Sequence, residues 1–157
     1  MSDFALYLLA NVPGFPPILQ SIHLLSVAVI MASAVMFDLR VLGLAVPSQG
    51  LVEMAQRLRF WTYSALLTAL LTGGVFVLAR PGRYFNNPVF QIKFLLLIPA
   101  IICSVCLFRV TLRHPKFWNL SLWRGRILAL LSLVLWVAVV LAGRWIAYSE
   151  YLFWSEY

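Results

Sequence analysis

The sequence has few charged residues and very few acids. Only 11% of its 157 residues are charged, and Asp and Glu together number 5. An ordinary soluble domain has about 25% charged and about 45–50% apolar residues, whereas this chain is 63% hydrophobic. The scarcity of charge excludes a typical soluble domain and predicts a single integral membrane domain over residues 1–157.

The sequence also lacks the short signatures of common enzyme sites. It has no P-loop, nucleophile elbow or HExxH pair and, with 2 histidines and 2 cysteines, no multi-histidine cluster. The net charge is +7, but no basic face interleaved with aromatic residues accompanies it. These absences argue against a hydrolase or metalloprotease and against a nucleic-acid partner. No independent catalytic motif remains.

Four apolar runs are long enough to cross a bilayer, which requires about 20 residues. They cover about residues 17–44, 58–79, 88–112 and 127–148, with turn-forming residues between them. Asn87 followed by Pro88 is typical of a helix N-cap with proline at the first helical position. The sequence therefore predicts an all-α fold, an antiparallel four-helix transmembrane bundle.

The basic residues predict the orientation of this bundle. Eight of the 12 Lys and Arg residues lie in or beside the first and third connections, and four lie toward the other side. The positive-inside rule then places both termini outside, in the periplasm of a Gram-negative cell, with the chain multi-pass in the inner membrane. Aromatic residues crowd the C-terminal end as an interfacial belt is expected to do: Trp145, Tyr148, Tyr151, Trp154 and Tyr157.

Polar residues lie at similar depth in three of the predicted spans. His23 and Lys93 are each about six residues inside a span, or roughly 8–9 Å at the helical rise, and Arg144 is about one turn from the end of the fourth. Gln20 lies one turn above His23. Ionisable residues within spans usually face the bundle interior or a watery cavity. The alternative for Lys93 or Arg144 is snorkelling, in which the side chain extends to the headgroups.

Convergent cations at one depth require an acceptor. Glu150 is on the same side and is expected to pair with Arg144, whereas Asp38 is at the other end of the first span. A lipid phosphate, a haem propionate, a quinone carbonyl or an acidic partner would also serve. His23 is either a ligand of b-type haem, for which histidine is the usual axial ligand, or an interior residue held by a hydrogen bond, the more common role of a lone histidine.

Small polar residues recur every four positions on the second span, at Ser64, Thr68 and Thr72. Such stripes usually mark close helix packing, and Gly73 beside them permits close approach. At the other end of the first span, Asp38 and Arg40 are expected to form a structural clamp at the interface, either with each other or with arginines of the second span.

The stretch "IHLLSVAVIMASAVMFDLRVLGL" resembles the first span of an uncharacterised bacterial family of four-helix inner-membrane proteins. Other family positions match along nearly the whole chain: Thr72-Gly73, Pro81, Tyr84, Asn87, Phe90, Lys93 and Gly143-Arg144. Relatives often have asparagine and histidine late in the third span, where this chain has "CSVCLFR". The resemblance implies the four-helix fold and adds Tyr84 to the candidate site, but it implies no activity.

Two functions follow as expectations. The first is a small integral subunit of a membrane redox or electron-transfer system that holds a b-type haem or a quinone near the periplasmic face. Its binding residues would be His23, Lys93, Arg144, Gln20 and Tyr84, with His23 as the candidate haem iron ligand. The alternative is a non-catalytic structural or assembly subunit of a larger membrane complex that binds lipid or an acidic partner. In either case the expected partners are the bilayer and other membrane subunits or further copies.

Overall fold

The computed structural model describes residues 6–7, 11–114 and 122–148, and this part of the chain is helical throughout apart from short connections. Its long helices are α1 (Phe15–Leu42), α2 (Leu51–Ala79), α3 (Pro88–Arg113) and α4 (Leu122–Trp145). A helical turn, Pro81–Phe85, precedes α3, and a 3-10 turn, Ile146–Tyr148, follows α4. All four helices are long and apolar enough to cross a membrane. The chain is therefore a multi-pass membrane protein.

The helices differ from the predicted spans chiefly where charged turns extend them. Helix α2 begins at Leu51 rather than residue 58, and α4 at Leu122 rather than residue 127. The first turns of α2 contain Glu53 and Arg57, which a hydrophobicity criterion excludes. Arg57 donates to the Glu53 carboxylate at 2.7 Å across one helical turn, a spacing that supports a helix. Hydrophobicity thus marked the membrane-crossing part of each helix and missed its polar extension.

The start of α3 confirms the predicted cap. The Asn87 side-chain oxygen accepts from the backbone N–H groups of Val89 at 2.9 Å and Phe90 at 3.4 Å, and Pro88 occupies the first helical position. These bonds satisfy donors that have no partner inside the helix. The cap fixes the register of α3 and, with it, the position of Lys93 one to two turns further along.

The turn after α1 is held by Arg40 rather than by an ion pair. Gly43 adopts φ 81°, a conformation that favours glycine, and so ends α1 at Leu42. Arg40 then donates from Nε to the Gln49 carbonyl at 2.9 Å and from Nη2 to the Pro47 carbonyl at 3.3 Å. The expected clamp between Asp38 and Arg40 is therefore wrong, because Arg40 is occupied with the loop while Asp38 is buried in the bundle.

The four helices pack as two close pairs. Helix α1 packs extensively on α2, and α3 on α4; α1 also contacts α4, whereas α2 and α3 make the weakest of these contacts. Small residues at 0% exposure, among them Ala55, Ala100 and Ala129, allow the backbones to approach, as is usual in membrane bundles. The loose α2–α3 seam leaves a groove between these helices.

The core has two apolar clusters along the bundle axis. The first surrounds Phe37 and Phe108, whose ring centroids are 4.7 Å apart. The second surrounds Ile30 and Trp136. Large apolar side chains on the outer faces of all four helices remain exposed, which suits contact with lipid tails. The two clusters divide the bundle into two ends, each with its own polar residues.

Part of the expected aromatic belt can be located. Trp145 and Tyr148 are exposed at the end of α4. Tyr151, Trp154 and Tyr157, together with Glu150, lie outside the described residues.

Candidate functional site

His23 on α1 is bound to Thr72 on α2. Its Nδ1 atom lies 2.9 Å from the Thr72 hydroxyl oxygen. That hydroxyl in turn donates to the Thr68 carbonyl at 2.7 Å, one turn back along α2. Since the single hydroxyl hydrogen is used toward Thr68, the Thr72 oxygen accepts from His23, and Nδ1 carries the proton. In a neutral imidazole this leaves Nε2 unprotonated, with a lone pair available to a ligand.

Gly73 provides the space for the imidazole ring. A Cβ atom at this position would lie 3.1 Å from His23 Cε1 and 3.6 Å from Nδ1. The first of these separations is too short for an ordinary packed contact, so a larger residue would push the ring away from Thr72. Gly74, the next residue, has no heavy atom within 4 Å of the corresponding position. The close approach is therefore specific to Gly73.

Lys93 reaches from α3 across to α4. A Cβ atom on Gly143 would lie 3.6 Å from both Cε and Nζ of Lys93, so the lysine side chain lies along the glycine surface of α4. It is also near enough to His23 for the two groups to interact electrostatically. His23 and Lys93 are both half-buried. We call these residues the His23 cluster, which consists of His23 with Thr72 and Gly73 of α2 and of Lys93 with Gly143 of α4.

No acidic side chain neutralises Lys93 within residues 6–7, 11–114 and 122–148. The ion pair found there is the exposed Arg57–Glu53 contact on α2. A lysine inside a span usually has a partner or faces a watery cavity. Lys93 also lies near the N-terminal end of α3, where the helix dipole disfavours a cation. The amine is therefore suited to an external acceptor oxygen.

The remaining predicted site residues lie around this cluster rather than in it. Arg144 is exposed and donates from Nη2 to the Tyr148 hydroxyl at 2.9 Å, with its guanidinium carbon 5.2 Å from the Tyr148 ring centroid. Gln20 is exposed on α1. Tyr84 is half-buried, and its ring lies 5.3 Å from that of Phe90, one turn before Lys93. The structure brings together His23 and Lys93 and turns Arg144 toward Tyr148.

A second polar group lies toward the other end of α1. Asp38 is 2% exposed, with the Ser132 hydroxyl of α4 in hydrogen-bonding range of its carboxyl group. Ser132 Oγ lies 3.5 Å from Ser104 Oγ, which accepts from Trp136 Nε1 at 2.8 Å. We call this arrangement the Asp38 cluster; its members are Asp38, Ser104, Ser132 and Trp136. The Asp38 Oδ2 atom is buried and has no hydrogen-bond partner among the residues that the structure describes.

Three arginines line the groove between α2 and α3. The groove has a volume of about 470 Å³ and is lined by Arg59, Tyr63, Val105, Phe108, Arg109, Leu112 and Arg113. Its arginines are exposed, and they project from two neighbouring helices that pack weakly on each other. This surface favours anionic groups such as phosphate or carboxylate.

The chemistry of the His23 cluster suits a ligand that both accepts and donates hydrogen bonds. Lys93 donates from Nζ, and His23 Nε2 accepts or coordinates. A metal cluster has less support, because no group of three His, Cys, Asp or Glu side chains that could hold a metal ion occurs in the described ranges. A haem iron would find one histidine in this cluster, His23, because His114 lies beyond the far end of α3.

Sequence reasoning missed the partners of the candidate residues more than the residues themselves. Thr72 was interpreted as a packing residue, although it also fixes the His23 ring. Ser104, Ser132 and Trp136 were not singled out, since isolated serines and tryptophan in a span have many uses. One signal was present for Asp38: it follows Ala34 and precedes Val41 at helical spacing, on the buried face of α1.

Comparison with known proteins gives a family but no activity. A family model described as a family of unknown function, DUF6644, matches residues 11–149. No curated protein and no solved structure matches the chain.

Proposed function

The chain belongs to DUF6644, a family of unknown function, and we propose that this member is a small integral subunit of a membrane redox system that binds a quinone headgroup. In this proposal the bundle is antiparallel in a bacterial inner membrane, with both termini in the periplasm. The antiparallel order is supported by contacts such as His23 with Thr72 and, further along α1, Val41 with the early α2 residue Met54 in one core cluster. The quinone then lies near the periplasmic face.

One arrangement carries the proposal: Nδ1 of His23 is bonded to the Thr72 hydroxyl, so that Nε2 would be available to a ligand, while Lys93 has no acidic partner among the described residues. A quinone carbonyl needs a donor, which Lys93 supplies. A quinol hydroxyl needs an acceptor, which Nε2 supplies. The two side chains therefore offer complementary partners for both forms of one headgroup, at a depth that a membrane-dissolved ligand can reach.

The bound group would supply two-electron, two-proton chemistry, and the chain would supply positioning and proton handling. Lys93 Nζ would hold the carbonyl oxygen and favour negative charge on it. His23 Nε2 would accept a hydroxyl proton, and the Thr72 hydroxyl would stabilise the resulting imidazolium through its bond to Nδ1. Gly73 and Gly143 would keep the site narrow enough to align both groups.

A b-type haem is the other ligand expected of His23, and it has weaker support. One axial position would be filled by Nε2, but a second histidine would have to come from another copy of the chain. Arg144, expected to neutralise a propionate, is instead bonded to Tyr148. A reduced-minus-oxidised absorption spectrum of the purified protein distinguishes haem from quinone.

Binding of a short-chain ubiquinone to the protein purified in lipid nanodiscs tests the proposal. Endogenous quinone is quantified by extraction, and affinity is measured by titration. Removal of one good polar contact is expected to weaken binding by about tenfold, equivalent to 1.4 kcal/mol. We expect this loss in His23→Ala and in Lys93→Met, which keeps the unbranched side chain up to Cε while removing the Nζ donor.

Arg109→Gln provides the matched control, because this exposed residue lines the α2–α3 groove and is far from His23. It should bind quinone as the wild type does. Equal binding by the wild type, His23→Ala and Lys93→Met would contradict the proposal. A reduced-minus-oxidised haem band that is lost in His23→Ala would replace quinone with haem as the ligand.

The α2–α3 groove favours a second candidate function, that of a non-catalytic subunit docked on an anionic lipid or an acidic partner. Three exposed arginines between two weakly packed helices support it. The expected behaviour is greater thermal stability in nanodiscs containing anionic phospholipid than in purely zwitterionic ones. Replacing Arg59, Arg109 and Arg113 together by Gln should abolish that difference, and a difference that survives the triple replacement would remove this candidate.

A further inference from the structure

Asp38 is the buried ionisable group that the proposed quinone site does not use. It lies fifteen residues after His23, a rise of roughly 22 Å along α1, and its side chain belongs to a different cluster. With 2% exposure, its side chain lies almost entirely inside the bundle. Any role for its carboxyl group is therefore separate from ligand binding at His23.

In the part of the chain that the structure describes, the surroundings of Asp38 are polar but include no neutralising cation. The Ser132 hydroxyl lies close to the carboxyl, and among the described residues Oδ2 has no hydrogen-bond partner. Arg40 is directed to the carbonyls of the following loop. On α2, Arg57 is paired with Glu53.

The titratable groups on the other two helices do not supply a cation to the carboxyl either. Cys103 of α3 is close enough to interact with Asp38 electrostatically, but a thiol carries no positive charge. Arg126 of α4 lies near Gly43, beyond the end of α1. Within the described ranges, the Asp38 carboxyl thus faces hydroxyls, a thiol and apolar side chains.

The protonated form of Asp38 is favoured by these surroundings. A buried carboxylate without a counter-charge carries a large desolvation penalty, and such groups usually neutralise instead. A neutral carboxylic acid with one unmade hydrogen bond carries a much smaller penalty. Since one oxygen has no partner at all, the contacts present are too few to compensate a full negative charge.

We propose that Asp38 is an intramembrane proton-binding site, protonated at rest and able to exchange its proton with solvent. In the exchange, the carboxylic acid releases a proton to water and becomes a carboxylate; the reverse step takes the proton back. The Ser132 hydroxyl donates to the carboxylate when the proton is absent. The Ser104 hydroxyl accepts from the Trp136 N–H and lies next to Ser132. The two serine hydroxyls can therefore reorient when the proton leaves.

The proton distinguishes this site from a metal site. Metal cations such as Na⁺ or Ca²⁺ require several oxygen ligands. Here one carboxyl and two serine hydroxyls are available, while the surrounding backbone carbonyls belong to helices. A proton needs a single oxygen atom, and Oδ2 is that atom.

Carbodiimide labelling in membrane vesicles tests the proposal. The acid O–H of a protonated carboxyl adds across the N=C bond of dicyclohexylcarbodiimide, and the adduct rearranges to a stable N-acylurea that mass spectrometry detects on the peptide. We expect labelling at Asp38 that declines as pH rises. Asp38→Asn should remove it, and Glu53→Gln, which changes an exposed acid on α2, should leave it intact.

Infrared difference spectroscopy supplies a readout that needs neither reagent access nor a change at Asp38. The sequence has only 5 acidic residues, so a variant with Asp3→Asn, Glu53→Gln, Glu150→Gln and Glu156→Gln retains Asp38 as the one carboxyl side chain. The carbonyl band of a protonated acid should be present at low pH and disappear reversibly as pH rises. Ser132→Ala should extend the band to higher pH, since the carboxylate loses its donor.

Two results would overturn the proposal. A band and a label that are both missing at every pH would show Asp38 to be permanently ionised. A band that persists unchanged over the whole pH range in which the protein is folded would show a neutral residue that does not exchange. Neither readout depends on quinone. If the Asp38 experiments fail, the proposed quinone site at His23 is unaffected, and if quinone does not bind, the proposed proton site at Asp38 is unaffected.

Discussion

The His23 cluster and the Asp38 cluster lie toward opposite ends of the same helix, yet they satisfy their polar groups in different ways. His23 is half-buried, with its Nδ1 bonded to Thr72, in a space that Gly73 creates. Asp38 is almost fully buried among side chains that leave one of its oxygens unpartnered. The first arrangement is suited to a ligand as large as a headgroup. The second is suited to nothing larger than a proton.

The difference shows that polar residues within a span can have at least two different roles. A polar residue beside glycines leaves room for an external partner, whereas an ionisable residue surrounded by apolar packing is more stable in its neutral form. The predictions below test this contrast, beginning with the change expected to have the largest effect on stability.

Replacing Gly73 by valine should break the His23 cluster. The added Cβ would meet the imidazole at 3.1 Å, and overpacking of this kind costs about 1–3 kcal/mol. The free energy of unfolding, measured by titration with a denaturing detergent in mixed micelles, should fall accordingly. Gly74→Val introduces the same residue into open space and should be much milder, so equal losses would contradict the close approach at Gly73.

Replacing Ser104 by alanine should weaken the Asp38 cluster. Trp136 Nε1, bonded to Ser104 at 2.8 Å, would be left buried without an acceptor, which costs about 1–2 kcal/mol. Detergent unfolding of Ser104→Ala, Trp136→Phe and the double variant gives the coupling between the two residues. The double variant should lose less than the two single losses together, and strict additivity would argue against the bond.

Replacing Thr72 by valine should have a small effect on stability and a larger one on binding. Hydrogen bonds between membrane helices contribute about 0.6 kcal/mol on average, so unfolding should change little. The His23 ring would lose its fixed tautomer, and affinity for quinone should fall. Thr68→Val is the control, because Thr68 donates within α2 to Ser64; a binding loss as large as that of Thr72→Val would contradict the role given to Thr72.

Replacing Glu53 by glutamine should have the smallest effect. Its pair with Arg57 is exposed, with side-chain exposures of 54% and 68%. Exposed pairs of this kind contribute under about 0.5 kcal/mol within a helix. The unfolding midpoint should therefore be unchanged within error at moderate salt, and a clear loss would mean that this turn of α2 contacts another part of the protein.

Much of the fold could be predicted from hydrophobicity, because each span needs an apolar run long enough to cross the lipid. The cap at Asn87 was equally readable, since asparagine before proline has few other uses at a helix start. The polar first turns of α2 and α4 were not, because helices continue beyond the hydrocarbon wherever backbone hydrogen bonds and pairs such as Arg57–Glu53 support them.

The depth of the candidate site residues in the membrane could be predicted from the sequence, but the directions of their side chains could not. His23, Lys93 and Arg144 were placed at one level from helical rise alone, which says nothing about where a long side chain turns. Packing decided that question: Gly143 gives Lys93 a surface to follow, and Tyr148 takes Arg144. Asp38 was assigned to the interface by its position in the sequence, although the periodicity of α1 places it on the buried face.

Nitrogen-15 NMR of histidine-labelled protein in lipid nanodiscs tests the central claim about His23 most directly. The chain has 2 histidines, so His114→Gln leaves the signals of His23 alone. We predict a protonated Nδ1 and an unprotonated Nε2, with the Nε2 signal shifting when a short-chain quinol is added. A protonated Nε2, or an Nε2 chemical shift that does not change at saturating quinol concentration, would contradict the account.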